Sequence, residues 1–179
     1  MTTYIALLRA VNVGGHQPVP MADLRSLVAR LGFDGPQSLL QSGNLVFRGR
    51  SQPTEKVERI LETGAGQHLG LETAFFVRTA AEWREVIAGN PFRREAKSDP
   101  AHLLVMVLKA APGASALRML EAAIAGPERV KVAGRHAYLV YPVGIGRSRL
   151  TTPLIEAKLD TRGTGRNWNT VLKLAALVE

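Results

Sequence analysis

The sequence predicts an α+β protein, with a ferredoxin-like (α/β plait) N-terminal unit of order βαββαβ and a second small α+β unit of order βαββαα. First, short apolar runs of strand length alternate with segments in which apolar residues recur at helical spacing. Second, two predicted strand pairs have a glycine between their strands, Gly43 in one pair and Gly134 in the other, which is typical of β-hairpins. With 179 residues the chain can form two small domains. We place them at 1–90 and 101–179, joined by a Pro-bounded linker at 91–100.

In the first unit, glycine and proline mark where the elements begin and end. Pro20 precedes the first helix and Gly32 lies just beyond it, as is typical of helix termini. Gly43 can supply the positive φ of a tight two-residue hairpin, whereas Gly64 and Gly66 disfavour the end of the second helix. The predicted elements are a strand over 3–11, a helix over 21–31, strands over 38–41 and 45–47, a helix over 53–69 and a strand over 73–78.

Beyond the first sheet, similar signals predict the remaining elements. Thr79 and Glu82 have the spacing of a capping box, which opens a short helix. Gly134 is placed to turn a hairpin, and Pro153 puts the start of the next helix at about Thr152. The predicted elements are a helix over 79–89, a strand over 102–108, a helix over 114–125, strands over 129–133 and 137–141, and helices over 152–159 and 167–178.

The composition excludes several classes of protein. The absence of cysteine excludes disulfides, thiol nucleophiles and thiolate metal sites, and it is compatible with a reducing cytosol. The four histidines lack the spacing of metal ligands, so we expect neither a metal nor another cofactor. No apolar run approaches the roughly 18 residues of a membrane span, and the first residues lack the basic start of a signal peptide. We therefore expect a cytoplasmic protein that does not contact membranes.

Positive charge is concentrated in the second half of the chain. Residues 1–90 carry nine Lys/Arg and eight Asp/Glu, whereas residues 91–179 carry fourteen and seven, which gives the net charge of +8. This excess would attract an anionic partner such as nucleic acid. The alternative is that the charge serves only solubility.

Two glycine-rich loops are candidates for binding an anion, because backbone amides that precede a helix can bind phosphate. The loop at 12–15 joins the first strand to a helix, and the βαββαβ order places it beside the hairpin at 41–44. The loop at 144–149 adds Ser148 and two guanidiniums. The alternatives are that the first loop only shapes the exit from its strand, and that the arginines of the second pair with acidic residues of the following helix, Glu156 or Asp160.

The basic and amide side chains at 162–169 form a third candidate. Here Asn167 can be only a helix N-cap, and Trp168 a core residue, since its spacing to Val171 and Leu172 is helical. Sheet-face RNA stacking is disfavoured, because the predicted third strand offers a single aromatic residue.

No catalytic set can be assigned. Three glutamates of the second helix fall on one stripe, which indicates a solvated face, and His16 is the only histidine in a glycine-rich loop. No nucleophile elbow or metalloprotease motif is present.

The chain also resembles a bacterial family, domain of unknown function (DUF) 1697, over its whole length. The motifs that carry the resemblance are Leu7-Leu8-Arg9 before Asn12-Val13-Gly14-Gly15, Met21 with Leu24-Arg25, Gln41-Ser42-Gly43-Asn44 with Val46-Phe47, Asn90-Pro91-Phe92, Tyr141-Pro142 with Gly144-Ile145-Gly146-Arg147-Ser148, and Arg166-Asn167-Trp168-Asn169-Thr170 with Leu172-Lys173-Leu174. The resemblance implies an α/β plait with two small α+β units, and it does not indicate which reaction, if any, the protein catalyses.

These observations lead to one hypothesis about a site. We expect the polar motifs to form an anion-binding cleft between the two units. The residues expected to bind are Arg9, Asn12, Gly14, Gly15, Ser42, Asn44, Arg147, Ser148, Arg149, Arg166, Asn167 and Asn169. Nucleic acid or another polyanion is the first expected partner. An enzyme or sensor for a small phosphorylated metabolite, and a protein-interaction module, are the alternatives.

Overall fold

A computed structural model describes residues 1–9 and 19–179 of the chain. The chain divides into two compact units, Met1–Glu85 with Leu174–Glu179, and Val86–Lys173. We call them unit 1 and unit 2. None of the described helices is long and apolar enough to cross a membrane.

These bounds differ from the domains predicted at 1–90 and 101–179. The first unit ends earlier in the chain than predicted, and the last residues of the chain belong to it. The segment 91–100, which was expected to be a linker, contains a short helix over Arg93–Ser98.

Unit 1 contains a four-stranded antiparallel sheet in the order β2-β3-β1-β4. Its elements are β1 (Thr2–Leu8), α1 (Met21–Arg30), β2 (Asp34–Leu39), β3 (Asn44–Gly49), α2 (Thr54–Leu69) and β4 (Phe75–Thr79). The predicted order βαββαβ is therefore confirmed. The helix termini also follow the prediction, since α1 begins after Pro20 and Gly32 beyond its end has a φ of 90°.

The connection between β2 and β3 is longer than the predicted two-residue turn. It spans 40–43, with positive φ at Leu40 and Gly43. A Cβ on Gly43 would lie 2.9 Å from the Cβ of Leu8, so the hairpin can approach β1 this closely only with glycine at that position.

The helix α2 differs from prediction in two ways. It continues through Gly64, where a Cβ would lie 2.7 Å from Cδ1 of Leu31, so the glycine allows that side chain to approach the helix. The predicted solvated stripe of glutamates is wrong for Glu58, which is buried. Its Oε1 accepts a hydrogen bond from the amide of Val77 at 2.9 Å and lies 3.6 Å from Nη1 of Arg78.

Unit 2 contains a second four-stranded antiparallel sheet, in the order β6-β7-β5-β8. After α3 (Ala80–Ala88), the elements are α4 (Arg93–Ser98), β5 (Leu103–Leu108), α5 (Ala114–Ala123), β6 (Arg129–Ala133), β7 (His136–Val140), α6 (Thr152–Leu159), β8 (Gly163–Asn167) and α7 (Trp168–Ala176). The capping box predicted for α3 is present, since Glu82 Oε2 accepts from the amide of Thr79 at 2.8 Å and Thr79 Oγ1 accepts from the amide of Glu82 at 3.1 Å.

The strand β8 corrects the order predicted for this unit. The prediction βαββαα omits β8, and the observed order is βαββαβ followed by α7. The reason is steric. A Cβ on Gly163 would lie 2.8 Å from Cε of Met106, and one on Gly165 would lie 2.7 Å from Cδ2 of Leu104. The strand therefore needs glycine because large side chains of β5 occupy that space, although glycine is typical of loops.

The two units repeat the same hydrogen bonds at the end of their first strands. In unit 1, the amide of Leu8 donates to Gly43 O at 2.9 Å, and that of Arg9 donates to Ala74 O at 3.2 Å. In unit 2, the amide of Leu108 donates to Arg135 O at 2.8 Å, and that of Lys109 donates to Arg162 O at 2.9 Å. These bonds define equivalent positions in the two sheets at the end of the first strand, namely Leu8 and Leu108, Gly43 and Arg135, and Ala74 and Arg162.

Each unit has its own apolar core between the sheet and two helices. In unit 1 the core contains side chains of β1, α1 and α2, and in unit 2 it contains side chains of β5, α5 and α6. The alternate residues of the central strands, such as Ile5 and Val105, are also buried. Both faces of β1 and of β5 are therefore removed from solvent.

Candidate functional site

Most of the site residues predicted in unit 2 lie at one end of its sheet. There β7 and β8 end and β5 begins, because the amide of Tyr141 donates to His102 O at 2.9 Å and Asn167 pairs with Leu104. A surface pocket of about 220 Å³ opens beside the loop that leaves β7. We call it the arginine pocket, and it is lined by Ala125, Gly126, Pro127, Glu128, Val143, Arg147 and Arg149.

Ser148 connects this loop to the acidic residue of the arginine pocket. Its hydroxyl donates a hydrogen bond to Glu128 Oε1 at 2.5 Å and accepts one from the amide of Leu150 at 3.0 Å. The hydroxyl proton is thus directed at a carboxylate of the protein. Ser148 orients Glu128 and the loop, and in this arrangement it does not point its donor at a ligand.

Tyr141 anchors the two ends of the same loop. It is buried, and its hydroxyl donates to Leu150 O at 3.0 Å. Burial, and to a smaller extent the negative charge of Glu128, raise the pKa of Tyr141 to about 12. The phenol therefore stays neutral at physiological pH and holds the loop closed across its base.

Arg147 and Arg149 are the exposed cations of the arginine pocket. In the described part of the chain, no ion pair joins either guanidinium to Glu156 or Asp160, which was the alternative interpretation. An exposed guanidinium offers several N–H donors to a phosphate or carboxylate oxygen.

Arg129 differs from these two arginines because it is held within the protein. Its guanidinium donates to Glu95 Oε1 and lies 5.2 Å from the ring centroid of Phe92. The hydrogen bond from Arg129 lowers the pKa of Glu95. The charge of Arg129 is thus partly neutralised.

An imidazole lies beside the loop, in a position that the sequence did not predict as functional. His102 Nδ1 lies 2.8 Å from Asp99 Oδ2. The other ring nitrogen faces Gly144, where a Cβ would lie 3.7 Å from Nε2. Gly144 has a φ of 89°, which favours glycine.

The residues at the end of β8 have mainly structural contacts. Arg166 Nη1 donates to Thr164 Oγ1 and to Gly165 O, both at 2.9 Å. Burial lowers the pKa of Arg166 to about 10, so it remains charged at neutral pH. Asn167 Oδ1 accepts from the amide of Thr170 at 3.0 Å, as the N-cap interpretation predicted.

The next two residues of the same candidate segment differ in exposure. Trp168 is buried, in agreement with its interpretation as a core residue. Asn169 is exposed in the first turn of α7.

In unit 1 the predicted site residues lie at the end of β1 and in the β2–β3 hairpin. Asn44 is buried, and its Nδ2 donates to Leu39 O at 2.9 Å and to Ser42 Oγ at 2.8 Å. Its amide therefore holds the hairpin closed. Arg9 is half-buried, and its carbonyl accepts from Thr73 Oγ1 at 3.2 Å. The hairpin contacts the end of β1, since Gly43 O accepts a hydrogen bond from the amide of Leu8 at 2.9 Å.

The loop predicted at 12–15 lies outside the described residues, as do its candidates Asn12, Gly14 and Gly15, and so does His16. That the residues of the two units form one cleft stays a prediction.

Comparison with known proteins shows to which family this fold belongs. The family described as protein of unknown function DUF1697 matches residues 1–138. The chain belongs to this family. A conserved bacterial protein of known structure, SP0830 from Streptococcus pneumoniae, is similar to this DUF1697 protein with a TM-score of 0.77 and 20% sequence identity, covering 99% of both chains. This likeness shows the fold. None of the curated proteins compared with the chain shows significant similarity to it.

The DUF1697 match covers the motifs of unit 1 and leaves the arginine pocket partly outside, because Arg147 and Arg149 follow residue 138. In this DUF1697 protein, sequence reasoning missed Glu128 and Tyr141 of the site. Glu128 lies in the connection before β6, and a single carboxylate in a connection does not indicate a site. Tyr141 directly follows the apolar strand β7, and the sequence pattern assigned it only to the end of the strand predicted at 137–141.

Proposed function

We propose that this DUF1697 protein binds a polyanion, first of all nucleic acid, at the arginine pocket. The observation that carries the proposal is the pair of exposed guanidiniums, Arg147 and Arg149, beside a loop that Tyr141 and Ser148 hold in place. A fixed loop lowers the entropy that two arginines lose when they contact phosphate oxygens. Glu128 already accepts a hydrogen bond from Ser148, which partly offsets its charge.

The distribution of charge supports a polyanion. Unit 2 contains fourteen Lys/Arg and six Asp/Glu, whereas unit 1 contains nine of each, so the whole net charge of +8 belongs to unit 2. A field of one sign over one unit attracts a chain of phosphates from a distance and increases the rate of association.

The size of the arginine pocket also favours a long ligand over a metabolite. Pockets that enclose a small molecule usually have volumes of about 300–1,000 Å³. The arginine pocket has about 220 Å³. It can hold one phosphate group of a longer chain that continues over the surface, and it is small for a whole nucleotide.

The contact would differ from the sheet-face stacking that RNA-recognition domains use. That mode needs aromatic residues on an open sheet face. Here the central strands are buried on both faces, as shown for Ile5 and Val105. The proposed contact therefore involves the loops at the end of the sheet and mainly the phosphates, so we expect weak sequence preference.

The proposal can be tested by fluorescence anisotropy with a labelled 20-nucleotide single-stranded RNA and the corresponding DNA, at about 50 and 200 mM salt. We expect binding that weakens steeply with salt, because phosphate contacts release counterions. The double variant R147A/R149A should bind at least tenfold more weakly. It should also lower the slope of log affinity against log salt by about 1.4, or about 0.7 per lost contact.

A matched control removes two exposed cations of unit 2 outside the arginine pocket, Arg118 and Lys173. R118A/K173A has the same net charge as R147A/R149A, so equal losses in both variants would contradict a site at the arginine pocket. The metabolite alternative makes a different prediction. It expects nucleotides or sugar phosphates to raise the melting temperature even at the higher salt concentration.

A further inference from the structure

We propose that two exposed apolar residues beside the arginine pocket, Val143 and Ile145, contact the bases of the bound nucleic acid, so that the protein prefers single strands to duplexes. We call these two residues the apolar rim. The inference rests on the proposed function and deepens it, because it names the form of nucleic acid that the arginine pocket binds.

The apolar rim is more exposed than most apolar residues of the protein. Val143 is 58% exposed and Ile145 is 53% exposed. Within residues 1–9 and 19–179, Met1 is the only large apolar residue with a higher exposed fraction than Val143. Single exposed apolar side chains are common on protein surfaces. Two of them in one short loop form a patch, and a ligand that removes this patch from water gains free energy.

The backbone of the loop is held by hydrogen bonds, so the apolar rim has a defined position. The amide of Gly144 donates to Tyr141 O at 2.9 Å, and the amide of Ser148 donates to Ile145 O at 3.2 Å. A single helical turn thus runs from Ile145 to Arg147. Since consecutive Cα atoms are about 3.8 Å apart, the two Cα atoms of the apolar rim lie less than about 8 Å from each other.

The apolar rim adjoins the cations that bind phosphate in the proposed function. Val143 lines the arginine pocket together with Arg147 and Arg149. The pocket has a volume of about 220 Å³, which suits one phosphate group and is small for a whole nucleotide. A single sugar joins the phosphate of a nucleotide to its base. When these arginines bind the phosphate, the base therefore lies outside the pocket, next to the apolar rim.

An aromatic ring lies beside the apolar rim. Gly144, between its two residues, carries no side chain, and a Cβ there would lie 3.7 Å from Nε2 of His102. Asp99 orients this imidazole, because its Oδ2 lies 2.8 Å from Nδ1 of the ring. The side chain of His102 is 41% exposed. Histidine is one of the residues on which unstacked bases stack, so the surface next to the rim also suits a base.

The chemistry of this surface favours a single strand over a duplex. In a duplex the flat faces of the bases are stacked on each other, and the outside presents phosphates, sugars and base edges. An unstacked base of a single strand exposes an apolar face, which aliphatic side chains can cover. Every base has such a face, so this contact requires no particular sequence.

The test compares ligands that carry about the same number of phosphates and differ in their bases. We would measure the affinity of the full chain by fluorescence anisotropy for a labelled 20-nucleotide thymidine strand, a strand of 20 abasic tetrahydrofuran nucleotides and a ten-base-pair duplex. We expect the wild type to bind the thymidine strand at least fivefold more tightly than either of the other two ligands.

Two variants separate the contacts to bases from the contacts to phosphates. In V143A/I145A the preference for the thymidine strand over the abasic strand should fall to about twofold or less. R147A/R149A should bind both strands more weakly and keep the preference. The slope of log affinity against log salt should decrease in R147A/R149A and not in V143A/I145A, because it depends on the number of phosphate contacts.

The matched control M119A/L172A removes two other exposed apolar side chains of unit 2 and leaves the net charge unchanged. It should keep the preference of the wild type, and its melting temperature and that of V143A/I145A should lie within a few degrees of the wild type. An equal loss of preference in the control and in V143A/I145A would overturn the inference.

The wild type alone provides a second measurement that does not depend on the folding of any variant. If it binds the thymidine strand no more tightly than the abasic strand or the duplex, the apolar rim does not contact bases and the inference is wrong. The proposed function then still stands, provided that R147A/R149A binds more weakly than the wild type. If the wild type binds none of the three ligands, both proposals are wrong.

Discussion

The two units have the same strand order and the same strand-end hydrogen bonds, yet unit 1 has no net charge and unit 2 carries all of it. At the end of the first strand of each sheet, Gly43 and Ala74 of unit 1 stand where unit 2 has Arg135 and Arg162. The comparison teaches that the plait fixes the backbone positions and leaves the side chains there open to change. Function in this protein is thus to be sought in residues that only one unit has.

The fourth strands of the two sheets show the same principle in their packing. Ala6 pairs with Val77 in unit 1, whereas Met106 pairs with Gly165 at the equivalent position in unit 2. The larger side chain comes from the edge strand in one unit and from the central strand in the other. In each pair one large and one small side chain share the space between the two strands, so the same register is possible in both sheets.

The largest expected effect concerns the arginines at equivalent positions of these strands, Arg78 opposite Ile5 and Arg166 opposite Val105. Arg78 is buried and lies 3.6 Å from the buried carboxylate of Glu58. We expect R78M to lower the free energy of unfolding by about 3–5 kcal/mol, because it leaves a buried charge without its partner.

The matched variant R166M should lower the free energy of unfolding by about 1–2 kcal/mol, since it removes hydrogen bonds to Thr164 and Gly165. Urea denaturation of both variants measures the difference. Equal losses would contradict the expectation that Arg78, which pairs with the buried carboxylate of Glu58, contributes more to stability than the hydrogen bonds of Arg166 to Thr164 and Gly165.

A smaller effect is expected from adding one methyl group to the glycine strand β8. G163A should lower the free energy of unfolding by about 1–3 kcal/mol, because the new Cβ would meet Met106 and Leu108, which are both buried. In contrast, nothing lies within 4 Å of a Cβ at Gly66 in α2. G66A should therefore stabilise the protein by up to about 1 kcal/mol. Thermal unfolding of the two variants tests whether β8 needs glycine for its close contact with Met106 and Leu108. A melting temperature of G163A equal to that of the wild type would contradict this.

A further modest effect is a loss of stability at alkaline pH that comes from a residue of unit 2. The pKa of Tyr141 is raised from 10.0 to about 12 in the folded protein, so its contribution is complete below pH 10 and is lost as the pH rises to 12. By pH 11 the free energy of unfolding should have fallen by about 1.4 kcal/mol. Denaturant unfolding between pH 8 and 11 should show the decline in the wild type and a shallower one in Y141F. The same slope in both proteins would assign the decline to other groups.

Much of the fold could be predicted from the sequence, because apolar spacing and turn residues determine most of its elements. The helix Thr152–Leu159 has the predicted bounds, since Pro153 restricts where it can begin. The strand β8 could not be predicted, because the reason for Gly163 and Gly165 is the bulk of β5, a distant segment of the chain. Local patterns report a residue's own preferences and not the space that its neighbours leave.

The candidate site was predictable in part for the same reason. The arginines of the loop after β7 stand out by residue type and by their place before a helix. The hydrogen bond from Ser148 to Glu128 and the anchoring of the loop by Tyr141 join residues from different connections, so no spacing along the chain indicates them. Residue types thus predicted the charges, and the structure shows how the loop that carries them is held.

The carboxylates beside β4 have a consequence for the edge of the first sheet. This strand lies at the edge of its sheet, and such edges readily add a strand from another chain. The amides of Phe75, Val77 and Thr79 donate to glutamate side chains at 2.8 to 3.0 Å. An incoming strand would find these backbone donors already occupied. The edge is thereby closed to the growth of intermolecular sheets.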